Sequence, residues 1–355
     1  MFDIQPSRLL RKTCEFSMGN MLSKGAVNGI RAGLSERERG GRDMCRAMLL
    51  TVRIIAIAVL VLLSTVMAHA GDSDNTKPKA LIDCRYEQSD GESSSEAFPS
   101  DDVFRPLLAD PKQPQFFALW QVTQARADKT SANMGSVGFG ENFGFYTRRQ
   151  GCNGWQIGLL TGVFAQFNLD AKTAELVNTD FVVGVPLTWR AGNWSGRLRY
   201  NHQSSHLGDE FLAARPGFQI SSFTFEEVEA IGSYDYRWLR LYVGYGVLVH
   251  REPSWIDRNR VQWGFEARGP SMRSAVLGVF STPISFTPLL TGDFKSVEEQ
   301  DWLINTNVLG GVDMSRAGSQ RRLRILVNFY HGFNPYGQFV SQKVQSVGVG
   351  AYFLF

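Results

Sequence analysis

The closing stretch V-Q-S-V-G-V-G-A-Y-F-L-F (Val344–Phe355) decides the fold class. Side chains of an extended strand point alternately to opposite sides. Taken at that period, Val347, Val349, Ala351, Phe353 and Phe355 make one apolar face that ends on an aromatic residue. The same alternation recurs upstream. Phe181, Val183, Val185, Leu187 and Trp189 oppose Gly184, Thr188 and Arg190. Trp155, Ile157, Leu159, Val163, Ala165 and Phe167 oppose Gln156, Gly158, Gly162, Gln166 and Asn168. Leu241, Val243, Tyr245, Val247 and Val249 oppose Arg240, Gly244 and Gly246, and Leu323, Ile325, Val327 and Phe329 oppose Arg324 and Asn328. Segments of roughly ten residues with this dyad pattern are the signature of a transmembrane barrel.

The expected fold is therefore all-β: a transmembrane antiparallel β-barrel of about 12 strands. The strands are placed near 116–126, 133–148, 154–169, 180–191, 194–206, 223–238, 240–250, 260–268, 274–284, 301–314, 321–332 and 344–355. Joints at 191–194, 238–240, 268–274 and 314–321 are short, whereas those at 206–223, 250–260, 284–301 and 332–344 are longer. Alternating short and long joints suit periplasmic turns and extracellular loops, with both termini in the periplasm. A soluble β-sandwich would also alternate, but it accounts for neither the loop asymmetry nor an even count ending on a strand.

Upstream of the barrel the chain reads as an export leader. The uncharged run from Ile54 to Met67 follows Arg46 and Arg53 and precedes Ala68-His69-Ala70, the order of n-region, h-region and cleavage site. Cleavage after Ala70 is expected; an uncleaved anchor is the alternative, and the run is short for a spanning helix. Residues 1–43 read as an over-long start or a disordered extension, 44–70 as the signal peptide, 71–115 as a periplasmic segment and 116–355 as the barrel. Residues 1–53 carry ten Lys/Arg against five Asp/Glu, so they supply +5 of a formal +3, and the exported chain is near −2. The basic balance thus gives no reason to expect nucleic acid as a partner.

Within 71–115, the Ser/Glu-rich tract is too polar to build a core. Val103–Phe116 contains Pro106, Pro111 and Pro114, which forbid a central strand. An ordered periplasmic linker or a lumen insert fits it. Two cysteines, Cys84 and Cys152, fall in the exported part. An oxidising periplasm lets them pair, with two isolated thiols as the alternative. Placing both on the periplasmic side favours a disulfide tying the linker to the barrel floor.

One strand carries candidate chemistry. In W-S-G-R-L-R-Y-N-H-Q-S-S-H-L-G-D-E (Trp194–Glu210), Trp194, Leu198, Tyr200, His202 and Ser204 share a face opposite Arg197, Arg199, Asn201 and Gln203. The apolar half should face lipid, so His202 and Ser204 project outward near the outer leaflet. A His and a Ser two apart on one strand can reach hydrogen-bonding distance, as a base-activated nucleophile requires. If the 206–223 loop is roughly symmetric, Glu226 lies opposite His202, beside Val228, Ala230, Tyr234 and Tyr236. A carboxylate on the lipid side is costly without a partner. Ser204, His202 and Glu226 are thus the candidate nucleophile, base and orienting acid.

The His202-Gln203-Ser204 element after Asn201 resembles the His-x-Ser element of outer membrane phospholipase A and, more loosely, that of lipid A deacylase. That resemblance implies a lipid-facing serine acyl-ester hydrolase, with calcium as the ion to test for. This chain departs from both patterns at Ser205-His206 and in the downstream position of Glu226. The terminal strand likewise resembles the carboxy-terminal signature read by the barrel-assembly machinery, with Phe355 as its last residue, and implies location in the bacterial outer membrane. Over most of the exported chain, F-R-P-L-L-A-D-P-K-Q-P-Q-F, H-Q-S-S-H-L-G-D-E and P-Y-G-Q-F resemble an uncharacterised bacterial envelope family, which implies the architecture and no activity.

The alternative for H-Q-S-S-H-L-G-D-E is a polar strand end leading into a loop. There His206, Asp209 and Glu210 are solvated, or bind a divalent cation or the lipopolysaccharide head-group layer. Asp209 and Glu210 are weak metal candidates; His250 and His331 are isolated near strand ends. Arg197, Arg199, Arg240 and Arg324 should face the lumen against Glu227, Glu229 and Glu266, as a packed polar plug or as the lining of a narrow pore. Two functions follow: a hydrolase of outer-leaflet phospholipid or lipopolysaccharide, or a non-catalytic structural barrel or narrow channel. Oligomeric state and substrate stay open.

Overall fold

A computed structural model describes residues 93–218, 222–274, 284–316, 319 and 321–354. Its strands are β1 (Ser94–Ala97), β2 (Phe116–Ala125), β3 (Ser131–Gln150), β4 (Asn153–Asn168), β5 (Glu175–Ala191), β6 (Trp194–Leu207), β7 (Phe223–Tyr236) and β8 (Leu239–Glu252). They continue as β9 (Asn259–Arg268), β10 (Met272–Ser274), β11 (Ile284–Val297), β12 (Ile304–Arg316), β13 (Arg322–Phe333) and β14 (Lys343–Leu354). A short helix, α1 (Asp209–Ala213), follows β6.

Each strand pairs antiparallel with its neighbours, and β14 returns to β2 through Phe353↔Phe116 to Val344↔Ala125. With β3 paired to both β2 and β4, the ladder closes on itself. The result is a twelve-stranded antiparallel barrel, to which β1 and β10 are accessories. Closure leaves no edge in the barrel, the condition for strands to sit in hydrocarbon, where an unpaired amide has no water to turn to. The start of β2 and the end of β14 lie at the same end of the barrel.

Outward positions carry the apolar alternation. On β5, Phe181, Val183, Val185, Leu187 and Trp189 are exposed while Val182, Gly184, Pro186 and Thr188 are buried. Aromatic residues gather at the termini end, where Trp155, Trp189, Trp194, Tyr236 and Trp238 are all exposed, and the Trp194 and Tyr234 rings lie 4.7 Å apart. An apolar outer band with an aromatic girdle is the surface of an outer-membrane barrel.

The lumen holds the polar half. Arg197 and Arg199 both reach Glu229, at 2.8 and 2.9 Å. Arg240 lies 3.5 Å from Glu266. Arg324 takes Asp313 at 3.0 Å, an acid the sequence reading did not single out.

Between these walls runs the proline-containing segment, which is the lumen insert of the two expectations. Phe104 and Leu107 pack on Ile231 and Tyr242, and Leu108 and Ala109 pack on Leu289, Leu309, Leu326 and Tyr352. Its backbone is held by wall side chains. Val103 N–H donates to Gln156 at 2.9 Å, Leu108 N–H to Glu266 at 3.1 Å, and Asn307 donates to the Ala109 carbonyl at 2.7 Å. Asp110 pairs with Lys295 at 2.6 Å and Lys112 with Asp180 at 2.5 Å.

One strand was misplaced by the sequence reading. The ninth barrel strand is β11 (Ile284–Val297), where a long loop over 284–301 was expected. The apolar run behind the expected strand at 274–284 lies, for residues 275–283, outside the described residues. Pro288, Gly292, Asp293 and Lys295 are residues common in loops. Inside a polar lumen, however, Asp293 accepts from Gln262 at 2.6 Å and from Tyr242 at 2.7 Å, and Lys295 meets Asp110. Pro288 sits just past the end of the β9 ladder at Leu289↔Arg268, where its missing N–H leaves no gap on that side. The β11–β12 joint is correspondingly short, 298–303, so loop asymmetry is weaker than expected.

Candidate functional site

β6 alternates strictly along its length. Arg197, Arg199, Asn201, Gln203 and Ser205 are buried in the lumen, whereas His202 and Ser204 lie on the outward face, half-buried. The expected register across to β7 is present: His202 stands directly opposite Glu226, and Ser204 opposite Thr224. His202 Nδ1 lies 3.9 Å from Glu226 Oε1. Its Nε2 points up the sheet, 3.5 Å from Thr224 Oγ1, which itself donates to the Gln203 carbonyl at 3.0 Å. No hydrogen bond joins Ser204 to His202; Thr224 occupies the place a nucleophile would take.

His250, read as isolated, is a neighbour in this row. It pairs with Glu226 from the β8 side, so the carboxylate is flanked by a histidine on each adjacent strand. A register shift between Glu226 and Glu227 makes this possible, leaving both Val249 and His250 exposed. Such a bulge breaks the two-residue period, so alternation could not have found it.

A second cluster lies on the inner side of the same strands. Asp180 accepts from Ser205 Oγ at 2.5 Å, from Asn178 Nδ2 at 2.8 Å and from Gly337 N–H at 3.2 Å. Lys112 completes it, with Nζ 4.1 Å from the Tyr336 ring centre and 4.8 Å from that of Phe164. The loop after β13 thus folds into the barrel mouth, where Phe339 packs on Met134, Val177 and Phe211. Gly337 is needed for this approach, since a Cβ there would come within 2.6 Å of Ser205 and Phe223. Sequence reading did not single out Lys112 and Asp180, because nothing in the local pattern marks the long-range contact between a loop charge and a strand charge.

Of the weak metal candidates, Glu210 lies in α1 and accepts from Thr173 Oγ1 at 3.0 Å, beside Asp209. Among the described residues, no group of three or more His, Cys, Asp or Glu is placed to hold a metal ion. Cys152, in the β3–β4 turn, takes part in a disulfide, while Cys84 and Phe355 lie outside the described residues.

Residues 69–355 match a family described as "Protein of unknown function (DUF1207)". The chain belongs to that family. The three segments singled out for this likeness meet at Asp180, supplying Lys112, Ser205 and Gly337 respectively. No curated protein matches the chain. Among solved structures it is similar to outer membrane phospholipase A from Escherichia coli, at 13% identity and TM-score 0.43, covering 68% of this chain and 90% of that one. It is also similar to the Salmonella typhi outer membrane phospholipase dimer with bound calcium, at 11% and 0.42, covering 68% and 91%. The β domain of the Bordetella autotransporter BrkA aligns at 12% and 0.37, covering 68% and 98%.

Proposed function

We propose that this DUF1207 barrel is a lipid-facing acyl-ester hydrolase acting on phospholipid or lipopolysaccharide, with Ser204 as nucleophile, His202 as base and Glu226 as the acid that orients it. The observation that carries this reading is the pairing of His202 with Glu226 on the outward face, one row from Ser204. The imidazole is turned the right way, with Nδ1 toward the carboxylate and Nε2 toward the row that holds Ser204. Height supports it too. Ser204 lies ten residues beyond the girdle residue Trp194. At about 3.3 Å per residue and a tilt near 40°, that is roughly 25 Å up, one thickness of the apolar band. The ester bonds of the far leaflet lie at that level.

In the reaction, Ser204 Oγ attacks the ester carbonyl as His202 Nε2 takes its proton. The leaving alcohol then receives that proton, and water hydrolyses the acyl-serine by the same route in reverse. This requires Ser204 to displace Thr224 from His202 Nε2 when substrate arrives; catalytic hydrogen bonds often tighten only in the complex.

Purified protein in mixed micelles of phospholipid or lipopolysaccharide should release fatty acid. Ser204→Ala should lower the rate by about three orders of magnitude or more, the loss expected when a nucleophile is removed. Wild-type release from that variant would end the assignment. The second reading is a non-catalytic structural barrel, favoured by the absence of a Ser204–His202 hydrogen bond. It predicts no release from either protein.

A further inference from the structure

On the far side of the barrel from His202, the upper ends of β13, β14 and β2 carry a different outward patch. Phe333 pairs with Lys343, and Arg126 N–H bonds the Lys343 carbonyl at 2.9 Å, so the three stand in one row. One step down, His331 pairs with Gln345 and Gln345 with Gln124. All six belong to the outward parity of their strands, the face that carries Phe329, Val349, Phe353 and Trp120 lower down.

We propose that this patch binds the phosphate of a phosphorylated lipid headgroup in the leaflet at the barrel end away from the termini. Neither Arg126 nor Lys343 has a carboxylate partner among the described residues. Arg126 bonds the His331 ring, and Lys343 lies 4.9 Å from the centre of the Phe333 ring. The adjacent acids are already engaged. Asp128 accepts from Thr130 N–H and Oγ1, at 3.0 and 2.7 Å, and Asp170 holds Asn133 at 2.8 and 2.7 Å. Other cations on the barrel do meet acids, as Arg215 does Glu175 and Arg260 does Glu299. What remains is a guanidinium, an ammonium and the Gln345 amide, flanked by the His331 ring that Arg126 bonds and by Gln124, whose Nε2 donates to the Lys129 carbonyl and Ser131 Oγ. The two cations and the amide suit a tetrahedral oxyanion.

The place selects a lipid over a free ion. Lys343 lies ten residues above Phe353 on β14. By the same rise and tilt, that is about 25 Å, the far edge of the apolar band. The row sits where headgroups begin, and acyl chains would run down the apolar face beneath it. The patch shares no residue with the row of His202, Ser204 and Glu226, so phosphate binding here is independent of hydrolysis there.

The test uses full-length protein refolded in detergent, mixed with bis-phosphorylated lipid A or its dephosphorylated counterpart, with retention read by native mass spectrometry. The phosphorylated lipid should be retained and the dephosphorylated one lost. Arg126→Gln with Lys343→Gln should weaken retention roughly tenfold or more, as loss of two charge-assisted contacts implies. Lys172→Gln with Arg237→Gln, exposed cations elsewhere, should leave it unchanged. Heat-modifiable migration on gels confirms that each variant is a folded barrel. Three results would overturn the proposal: undiminished retention by the patch variant, equal loss in the control variant, or displacement of the lipid by inorganic phosphate at matching concentration.

Discussion

Among the described residues, no cation is bonded to Asp102 where it enters the barrel. Its carboxylate accepts from Asn142 at 2.5 Å and from Gln156 at 3.2 Å, and burial drives its pKa up from 3.8 to about 6. The hydrogen bonds and the more distant Arg149 offset only part of that rise, and Glu141 adds to it. A raised carboxyl pKa means the folded state prefers the proton. The resulting stabilisation is complete below the ordinary value and is lost as pH rises through about 6, amounting to at most about 3 kcal/mol. Asp102→Asn imitates the protonated form and keeps an acceptor for both amides. It should therefore remove this slope and be more stable than wild type at pH ~7, read as unfolding midpoints across a pH series in detergent. A variant with the wild-type slope would show that the dependence arises elsewhere. At this scale the outward pairing of His202 with Glu226 was legible, because the two-residue period and a symmetric loop fix facing positions. Asp102, Asp180 and His250 were not, because burial by a distant segment and a bulge leave no mark on local pattern.

Among the elements, the segment around Leu107 is the one whose sequence said least and whose packing says most. Three prolines ruled out a ladder strand, which was right as far as it went. They could not distinguish a linker from an insert, because that depends on the apolar lumen patches formed by β7, β8 and β11–β14. Ile231, Tyr242, Leu309 and Leu326 belong to strands far apart in sequence, and no local window joins them. Leu107 is fully buried, so Leu107→Ala should weaken docking of the segment by about 2–4 kcal/mol. Since the insert is held by wall side chains while the strand ladder closes without it, the loss should be local. Hydrogen exchange at residues 103–115 should accelerate while β4–β8 amides keep their protection. Uniform loss of protection would instead make the insert part of the cooperative barrel. The misplaced ninth strand teaches the converse: Asp293 and Lys295 are loop signals in a soluble protein and ordinary lumen residues here, while Pro288 stands on the outward parity with Leu290, past the end of the β9 ladder.

For the whole molecule, closure of the ladder and filling of the lumen pull the functional choice in one direction. The wall pairs most of its own charges, Arg197 and Arg199 with Glu229, Arg240 with Glu266, and Arg324 with Asp313. The insert occupies the space between, and the loop carrying Gly337 is fastened over it through Asp180. Buried ion pairs contribute little net stability, but removing one partner leaves an uncompensated charge and is strongly destabilising. These contacts therefore make an open lumen costly as well as closing it sterically. Full-length protein in a planar bilayer should show no steady conductance, and Arg197→Ala should not create one, because Gln113 and Phe104 of the insert still fill the space beside it. Excision of residues 103–115 should open an ion-conducting path if the shortened barrel folds, which its heat-modifiable migration would report. Steady conductance from the wild-type protein would reverse the ranking, making the lumen, and not the outward faces at His202 and Lys343, the place where this barrel works.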